Sequence, residues 1–215
     1  SQDLPKYSTL LDVGCHVGSL IYNLKKQGYC NVQGIDIDRR SVRRGRALYP
    51  ELENRIETYE GTTLPYQDDS FDVVTMFDVL EHSANPIKLL KSISKKHKIS
   101  GKLFLSYPNS DSFKSKILRT KWPMVSPLAH INFFSKKSTL IMLKKCGYEP
   151  ILIKSYSFVI FRRLFRNTIK LPFKIIIDIL KFNFLNIFKR LYELILNILD
   201  LMHGDQMKVV AKKIK

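Results

Sequence analysis

The stretch Leu10-Leu11-Asp12-Val13-Gly14-Cys15-His16-Val17-Gly18 holds the first residues whose types and spacing can do chemistry. An apolar run ends in an acid, and two glycines open the segment that follows. Glycine carries no Cβ, so at Gly14 and Gly18 the backbone can approach a ligand closely, as a nucleotide-type ligand requires. A pyrophosphate-bound dinucleotide calls for Gly-x-Gly-x-x-Gly, which seats the phosphates on a helix N-terminus. Counted from Gly14, the second and third positions of that pattern are His16 and Ser19, which disfavours a nicotinamide cofactor. A second apolar run ends in Gly34-Ile35-Asp36-Ile37-Asp38. About twenty residues past the glycine turn, an acid such as Asp36 can accept hydrogen bonds from both ribose hydroxyls of a nucleoside. The competing role, capping the helix that follows, suits Asp38 better.

These residues need elements to hold them. Strands are expected over 9–13, 32–37, 71–77, 102–106 after a turn at Gly101, 149–154 and 207–211. Helices are expected over 19–27, 39–48, 86–96 and 138–146, with Gly28 and Gly147 as stops. The third strand is a continuous apolar run through Val73, Val74 and Met76, as befits a parallel strand covered on both faces. Strands alternating with helices predict an α/β fold: a doubly wound, mostly parallel, Rossmann-like sheet with right-handed crossovers and helices on both faces. Residues 156–203 break that rhythm. Arg162, Arg163, Arg166 and Lys170 precede a largely apolar run that Lys174, Asp178, Lys181, Lys189, Arg190 and Glu193 interrupt. With charges so frequent, amphipathic helices fit this insertion better than a membrane span. The expected organisation is a core over 1–155, a helical insertion over 156–203 that serves as a lid, dimer or membrane-surface element, and a final strand of the core sheet in 204–215.

At 215 residues the chain suits one packed domain, and 45% hydrophobic residues exclude a disordered class. A net charge of +17 attracts polyanions without choosing among nucleic acid, anionic lipid and phosphate-bearing substrates. Cys15, Cys30 and Cys146 form neither a disulfide framework nor a zinc pattern, so a reducing cytoplasm and no metal are expected. The polar stretch 1–7 is unlike a secretory signal. The first residue is not Met, and the first strand begins almost at once, as in a chain that is processed or lacks an N-terminal piece.

The spacing Asp12-x-Gly14-x-x-x-Gly18 resembles motif I of the class I S-adenosylmethionine-dependent methyltransferases. Leu64-Pro65-Tyr66-Gln67-Asp68-Asp69-Ser70-Phe71-Asp72-Val73-Val74 and Phe77-Asp78-Val79-Leu80-Glu81-His82 resemble the family's next two signatures. Gly101-Lys102-Leu103-Phe104-Leu105-Ser106-Tyr107-Pro108-Asn109 and His130-Ile131-Asn132-Phe133-Phe134-Ser135 resemble later ones. The nearest resemblance is to the ubiquinone-biosynthesis O-methyltransferase group, found also in surface-polysaccharide gene clusters. It implies that Asp12, Gly14, Cys15, Gly18, Asp36, Ile37, Phe77 and Asp78 bind S-adenosylmethionine, which leaves as S-adenosylhomocysteine. Two departures stand out: His16 occupies a position where the family often has glycine, and no acid stands at Thr62 or Thr63 to hold the adenine amine.

Methyl transfer is an in-line displacement for which positioning supplies much of the acceleration, and a hydroxyl acceptor must also lose its proton. Histidine suits that task near neutral pH; His82 follows the pocket-forming strand and the resemblance sets the segment of His130 at the border of the acceptor site, so either can be the base. Each equally suits a structural role, shaping the pocket or tying a loop. Trp122, Tyr107, Phe113, Phe133 and Phe134 either line the acceptor pocket or pack as core. The expected reaction is O-methylation of a sugar, a lipid-linked saccharide or another small hydroxylated metabolite. An anionic membrane surface meeting 160–203 and a homodimer are further expected partners. The alternatives are an RNA methyltransferase, disfavoured by the lack of an RNA-binding module, and a non-catalytic scaffold on the same fold.

Overall fold

A computed structural model describes residues 4–60, 64–126, 129–156 and 204–215. Its strands are β1 (Leu10–Val13), β2 (Val32–Asp36), β3 (Ile56–Thr58), β4 (Phe71–Phe77), β5 (His97–Pro108), β6 (Tyr148–Tyr156) and β7 (Gln206–Lys213). The helices are α1 (Ser19–Lys26), α2 (Arg39–Leu48), α3 (Pro86–Lys96), α4 (Phe113–Leu118) and α5 (Lys136–Lys145). The strands form one sheet in the order β3-β2-β1-β4-β5-β7-β6. β7 runs antiparallel to both neighbours, and the five strands on the other side are parallel.

The pleat explains the two cores. Alternate side chains leave opposite faces of a strand. Leu11, Val74, Leu103 and Leu105 therefore pack with Leu90 and Ile93 of α3 and Met142 and Leu143 of α5. Leu10, Val32 and Val73 face the other way and pack with Ile21 of α1 and Val42 of α2. Helices cover both faces, as the alternation of elements requires. Strand order reverses between β1 and β4, so their carboxyl ends border the crevice in which such sheets bind ligands.

The structure departs from the sequence reading in three places. β3 and α4 are additional elements, each too short to carry a periodic signal. Gly101 lies inside β5, not in a turn before it. The strand starts at His97, is irregular where Ser100 takes φ 67, and leaves a Cβ at Gly101 only 2.4 Å from the His97 ring. β7 is longer than expected and lies between β5 and β6; the position of β6 at the far side of the sheet is as expected.

β6 runs in the same direction as β5, and Tyr156 pairs with Gln206. The chain thus leaves β6 and re-enters β7 at the carboxyl end of the sheet, where the crevice opens. The expected helical insertion lies, from residue 157 to 203, outside the described residues. Among the described residues, no helix is long and apolar enough to cross a membrane.

Candidate active site

Turning from β1 into α1 takes left-handed backbone at Gly14 (φ 78), His16 (φ 52) and Gly18 (φ 77). The amides of Gly14 and Cys15 both donate to the Ile35 carbonyl, at 2.8 and 3.0 Å, and that of Gly18 donates to the Cys15 carbonyl at 2.8 Å. A Cβ at Gly14 would stand 2.4 Å from Val79 Cγ2, and one at Gly18 would stand 2.8 Å from Leu52 Cδ1. The glycines are therefore demanded by the backbone conformation and by the protein's own side chains, a reason distinct from making room for a ligand. Cys15 is buried against Gly34, and burial, with Asp12 and Asp36 nearby, pushes its thiol far above the ordinary range. Its place in the loop, not its sulfur chemistry, is what it contributes.

His16 takes the left-handed conformation without being glycine because its amide has a strong acceptor. It donates to Asp36 Oδ2 at 2.7 Å, while the Asp38 amide donates to Asp36 Oδ1 at 2.8 Å. Each carboxylate oxygen keeps a further lone pair for a ribose hydroxyl. Asp38 is the helix cap, accepting from the amides of Arg40 and Ser41. Asp12 sits below the loop, buried, with Thr75 Oγ1 donating to its Oδ1 at 2.6 Å. Burial lifts its pKa to about 7, against the Thr75 hydrogen bond and aided by the charge of Asp36.

Two apolar side chains stand exposed beside these acids. Ile37 is 72% exposed after β2, and Phe77 is 42% exposed at the end of β4. Asp78 follows with φ 56, its amide donating to the Ser106 carbonyl at 2.9 Å and its carboxylate accepting from Ser106 Oγ at 3.2 Å. Burial raises the Asp78 pKa, while Ser106 and the imidazoles of His82 and His130 pull it down.

The histidines come together from residues far apart in sequence. A single 3₁₀ turn, Leu80–His82, is stapled to the 129–132 segment. The Glu81 carbonyl accepts from the amides of Ile131 and Asn132, and Asn132 Nδ2 donates to the carbonyls of Leu80 (3.2 Å) and Ser83 (2.7 Å). His82 Nδ1 lies 2.6 Å from the Ala129 carbonyl and His130 Nδ1 lies 2.7 Å from that of Met124, with ring centroids 4.9 Å apart. A carbonyl only accepts, so each Nδ1 carries a proton, and in the neutral tautomer the lone pair is at Nε2.

Glu81 was not among the residues singled out from sequence. It is buried, its Oε2 has no hydrogen-bond partner among the described residues, and burial with the charge of Asp78 raises its pKa to about 7, against its own amide and His82. Donor atoms of Glu81, His82 and His130 all lie within 4.8 Å of one another, a set able to hold a divalent cation after modest tightening. Thr75, Ser106 and Asn132 also escaped the sequence reading, since a polar residue within an apolar strand or loop gives no sign of its partner. Trp122 and Tyr107 pack as core: the indole donates to Asp205 at 3.3 Å, and the Tyr107 hydroxyl meets Thr139 Oγ1 at 2.8 Å.

Residues 1–153 match the family model described as a methyltransferase domain. A ubiquinone biosynthesis O-methyltransferase of Aliivibrio fischeri is 31% identical over 103 residues, which are 46% of this chain and 44% of that protein. The enzyme of that name from Idiomarina loihiensis is 30% identical over 159 residues, 69% of this chain and 65% of its own length. A Methanosarcina mazei structure described as a SAM-dependent methyltransferase superposes with TM-score 0.66 at 16% identity, covering 98% of this chain and 94% of that one. The first of these relatives is matched over less than half of its length.

Proposed function

The chain belongs to the class I S-adenosylmethionine-dependent methyltransferases, and from that premise we propose that it transfers a methyl group to a hydroxyl of a small acceptor, a sugar or related metabolite. The observation that carries this reading is the pair of histidines whose Nδ1 atoms are tied to carbonyls and whose ring centroids lie 4.9 Å apart, so that in the neutral tautomer each offers Nε2 to an acceptor. A hydroxyl placed against either can lose its proton as it attacks.

The cofactor fits the residues that border the crevice. Asp36 offers its outer lone pairs to the ribose hydroxyls, Ile37 and Phe77 offer apolar surface to the flat base, and Asp12, held by Thr75, stands at the end of β1 just before the glycine loop. When bound, the cofactor supplies an electrophilic methyl on a sulfonium that departs as a neutral thioether. The protein then has to hold the acceptor oxygen in line and remove its proton.

A second reading rests on Glu81. Histidines anchored through Nδ1 are typical metal ligands, and the partnerless Glu81 Oε2 is a carboxylate oxygen looking for a cation or a proton. A divalent ion held there would lower the pKa of an acceptor hydroxyl and leave no need for a histidine base. Neither reading draws on the 160–203 stretch, for which peripheral contact with an anionic membrane remains a separate proposal.

The direct test is titration calorimetry with S-adenosylmethionine and S-adenosylhomocysteine, followed by transfer assays on hydroxylated acceptors. Binding in the wild type that Asp36→Ala abolishes supports the site. Cofactor binding without transfer to any oxygen acceptor would sink the proposed reaction in favour of a binding protein on this fold.

A further inference from the structure

Past β5, strand order continues with β7 and then β6. Leu105, Tyr107, Met207, Val209 and Ile153 belong to the core under α3 and α5, so the residues between them face the other way. On that opposite face Phe77 pairs with Ser106, Ser106 with Lys208 and Lys208 with Lys154, one row from β4 to β6. The row starts in the methyl-transfer site, where Ser106 Oγ donates to Asp78, and ends in two exposed lysines. Like charges directly opposite on antiparallel strands repel. Lys212, between Lys102 and Glu149, at least faces an acid on one side. Lys208 and Lys154 face each other, and among the described residues neither forms an ion pair. Such a conflict beside a reaction site marks the place of an anion.

Two neighbours of the lysines say what brings that anion. Lys208 Nζ stands 4.2 Å from the centre of the Tyr156 ring, and Tyr156 pairs with Gln206 two residues nearer the crevice, so the ammonium leans toward the crevice. Burial, and then the charge of Asp78, raise the Tyr156 pKa, which places the phenol in the field of the site. Beside it Gln206 Oε1 is buried and has no hydrogen-bond partner among the described residues. A buried acceptor without a donor is costly, and a ligand hydroxyl supplies one. A bilayer or a nucleic acid strand meets exposed lysines but not a buried amide, whereas a small hydroxylated acid meets both. We propose that Lys154 and Lys208, with Tyr156 and Gln206, form the specificity subsite of the methyl acceptor, and that this acceptor carries an acid group, carboxylate or phosphate, besides its reacting hydroxyl. The proposal rests on the reading of the chain as a hydroxyl methyltransferase. An ammonium is a point charge without a fork to match, so it takes either anion. Two strand spacings of about 4.8 Å separate β4 from β7, which sets the acid roughly 10 Å from the end of β4.

The test is methyl transfer from S-adenosylmethionine by the full chain to glucose, glucuronate and glucose 6-phosphate, on the wild type, K154Q/K208Q and Q206M. At least one acid is expected to exceed glucose in kcat/KM by about tenfold or more, through KM, and which acid does so separates carboxylate from phosphate. K154Q/K208Q should erase that preference by raising KM for the acid. Q206M removes the orphaned acceptor, so it should melt no lower than the wild type and still raise KM. S-adenosylmethionine affinity, measured by calorimetry, is the folding control for both variants. Glucose methylated as well as either acid, an acid preference that survives in K154Q/K208Q, or an unchanged KM in Q206M overturns the proposal. Transfer to none of the three bears on the reaction and not on the subsite, which binding then decides. Glucuronate or glucose 6-phosphate titrated into the chain holding S-adenosylhomocysteine supports the subsite if it binds the wild type and not K154Q/K208Q, and overturns it if neither acid binds or the variant binds equally. Lysine-dependent capture of phosphatidylglycerol vesicles or of an RNA oligomer, without binding of either acid, also overturns it and reassigns the lysines to a macromolecular polyanion.

Discussion

The His16 amide donates to Asp36 Oδ2 at 2.7 Å, which ties the glycine loop after β1 to the carboxyl end of β2. One carboxylate thus holds the loop and, through its free lone pairs, faces the ribose position. Asp36→Asn separates these roles. Both oxygens already accept amides, so the variant turns an NH₂ group toward one donor. The expected cost is about 1 kcal/mol of stability, with cofactor affinity falling about tenfold or more. Thermal melts and calorimetry measure the two effects. Since the bond uses the main chain, His16→Gly should bind cofactor nearly as the wild type does, and a large loss there would show that the imidazole itself matters.

Asp12 gives the chain a pH dependence with a definite sign. Its pKa is about 7 in the folded state against an ordinary 3.8, so between those values the native chain holds a proton that the unfolded chain has released. Its contribution to stability therefore declines as pH rises from about 4 to 7 and is gone above. Asp12→Asn cannot ionise. Relative to the wild type, the variant should gain on the order of 2 kcal/mol between pH 5 and pH 8 in urea melts. The Glu81 contribution is common to both proteins and cancels. A difference that does not vary with pH would mean that Asp12 does not titrate in this range.

Gly45 lies on the buried side of α2, where an added Cβ would stand 2.5 Å from the Val17 carbonyl oxygen and 2.8 Å from Ile56 Cδ1. The nearer contact is main chain and cannot swing aside, so Gly45→Ala should push on the 14–18 loop. A loss of about 2 kcal/mol together with weaker cofactor binding is expected. Gly28→Ala is the comparison: its φ of +91 is strained, but among the described residues no atom beyond its chain neighbours would lie within 4 Å of the added Cβ. It should lose stability of about 1 kcal/mol and leave cofactor affinity alone.

Contiguous signals were legible in the sequence and distant pairings were not. Phe71–Phe77 and Pro86–Lys96 were readable to the residue because a mostly apolar run centred on Val73, Val74 and Met76 and a proline-started amphipathic run are strong local signals. The capping role of Asp38 was readable because it acts on residues two and three positions on. β3 has three residues and too little pattern to register. Gly101 looked like punctuation but sits in a strand irregularity packed on His97, which only the sheet reveals. The Asp12–Thr75 and Glu81–His130 relationships join residues dozens of positions apart, and no local spacing encodes them. His82 and His130 were found by residue type, but their meeting depends on Asn132 stapling two loops.

The histidine pair supports the last prediction. His82→Gln and His130→Gln keep a side chain that can still donate to the Ala129 and Met124 carbonyls, so the loops should hold and S-adenosylmethionine affinity should persist. What is lost is an Nε2 lone pair, and turnover on a hydroxyl acceptor should fall on the order of 10²–10⁴ for the histidine that takes the proton. Loss at one position and not the other identifies a single base. Comparable loss at both, with activity abolished by EDTA and restored by Mg²⁺ or Mn²⁺, would instead favour a cation. In that case Glu81→Gln should raise the metal concentration needed for half-maximal rate, because it removes the carboxylate that completes the donor set. Turnover indifferent to EDTA and to Glu81→Gln leaves proton transfer to imidazole alone. Full turnover in both histidine variants would remove these rings from the chemistry.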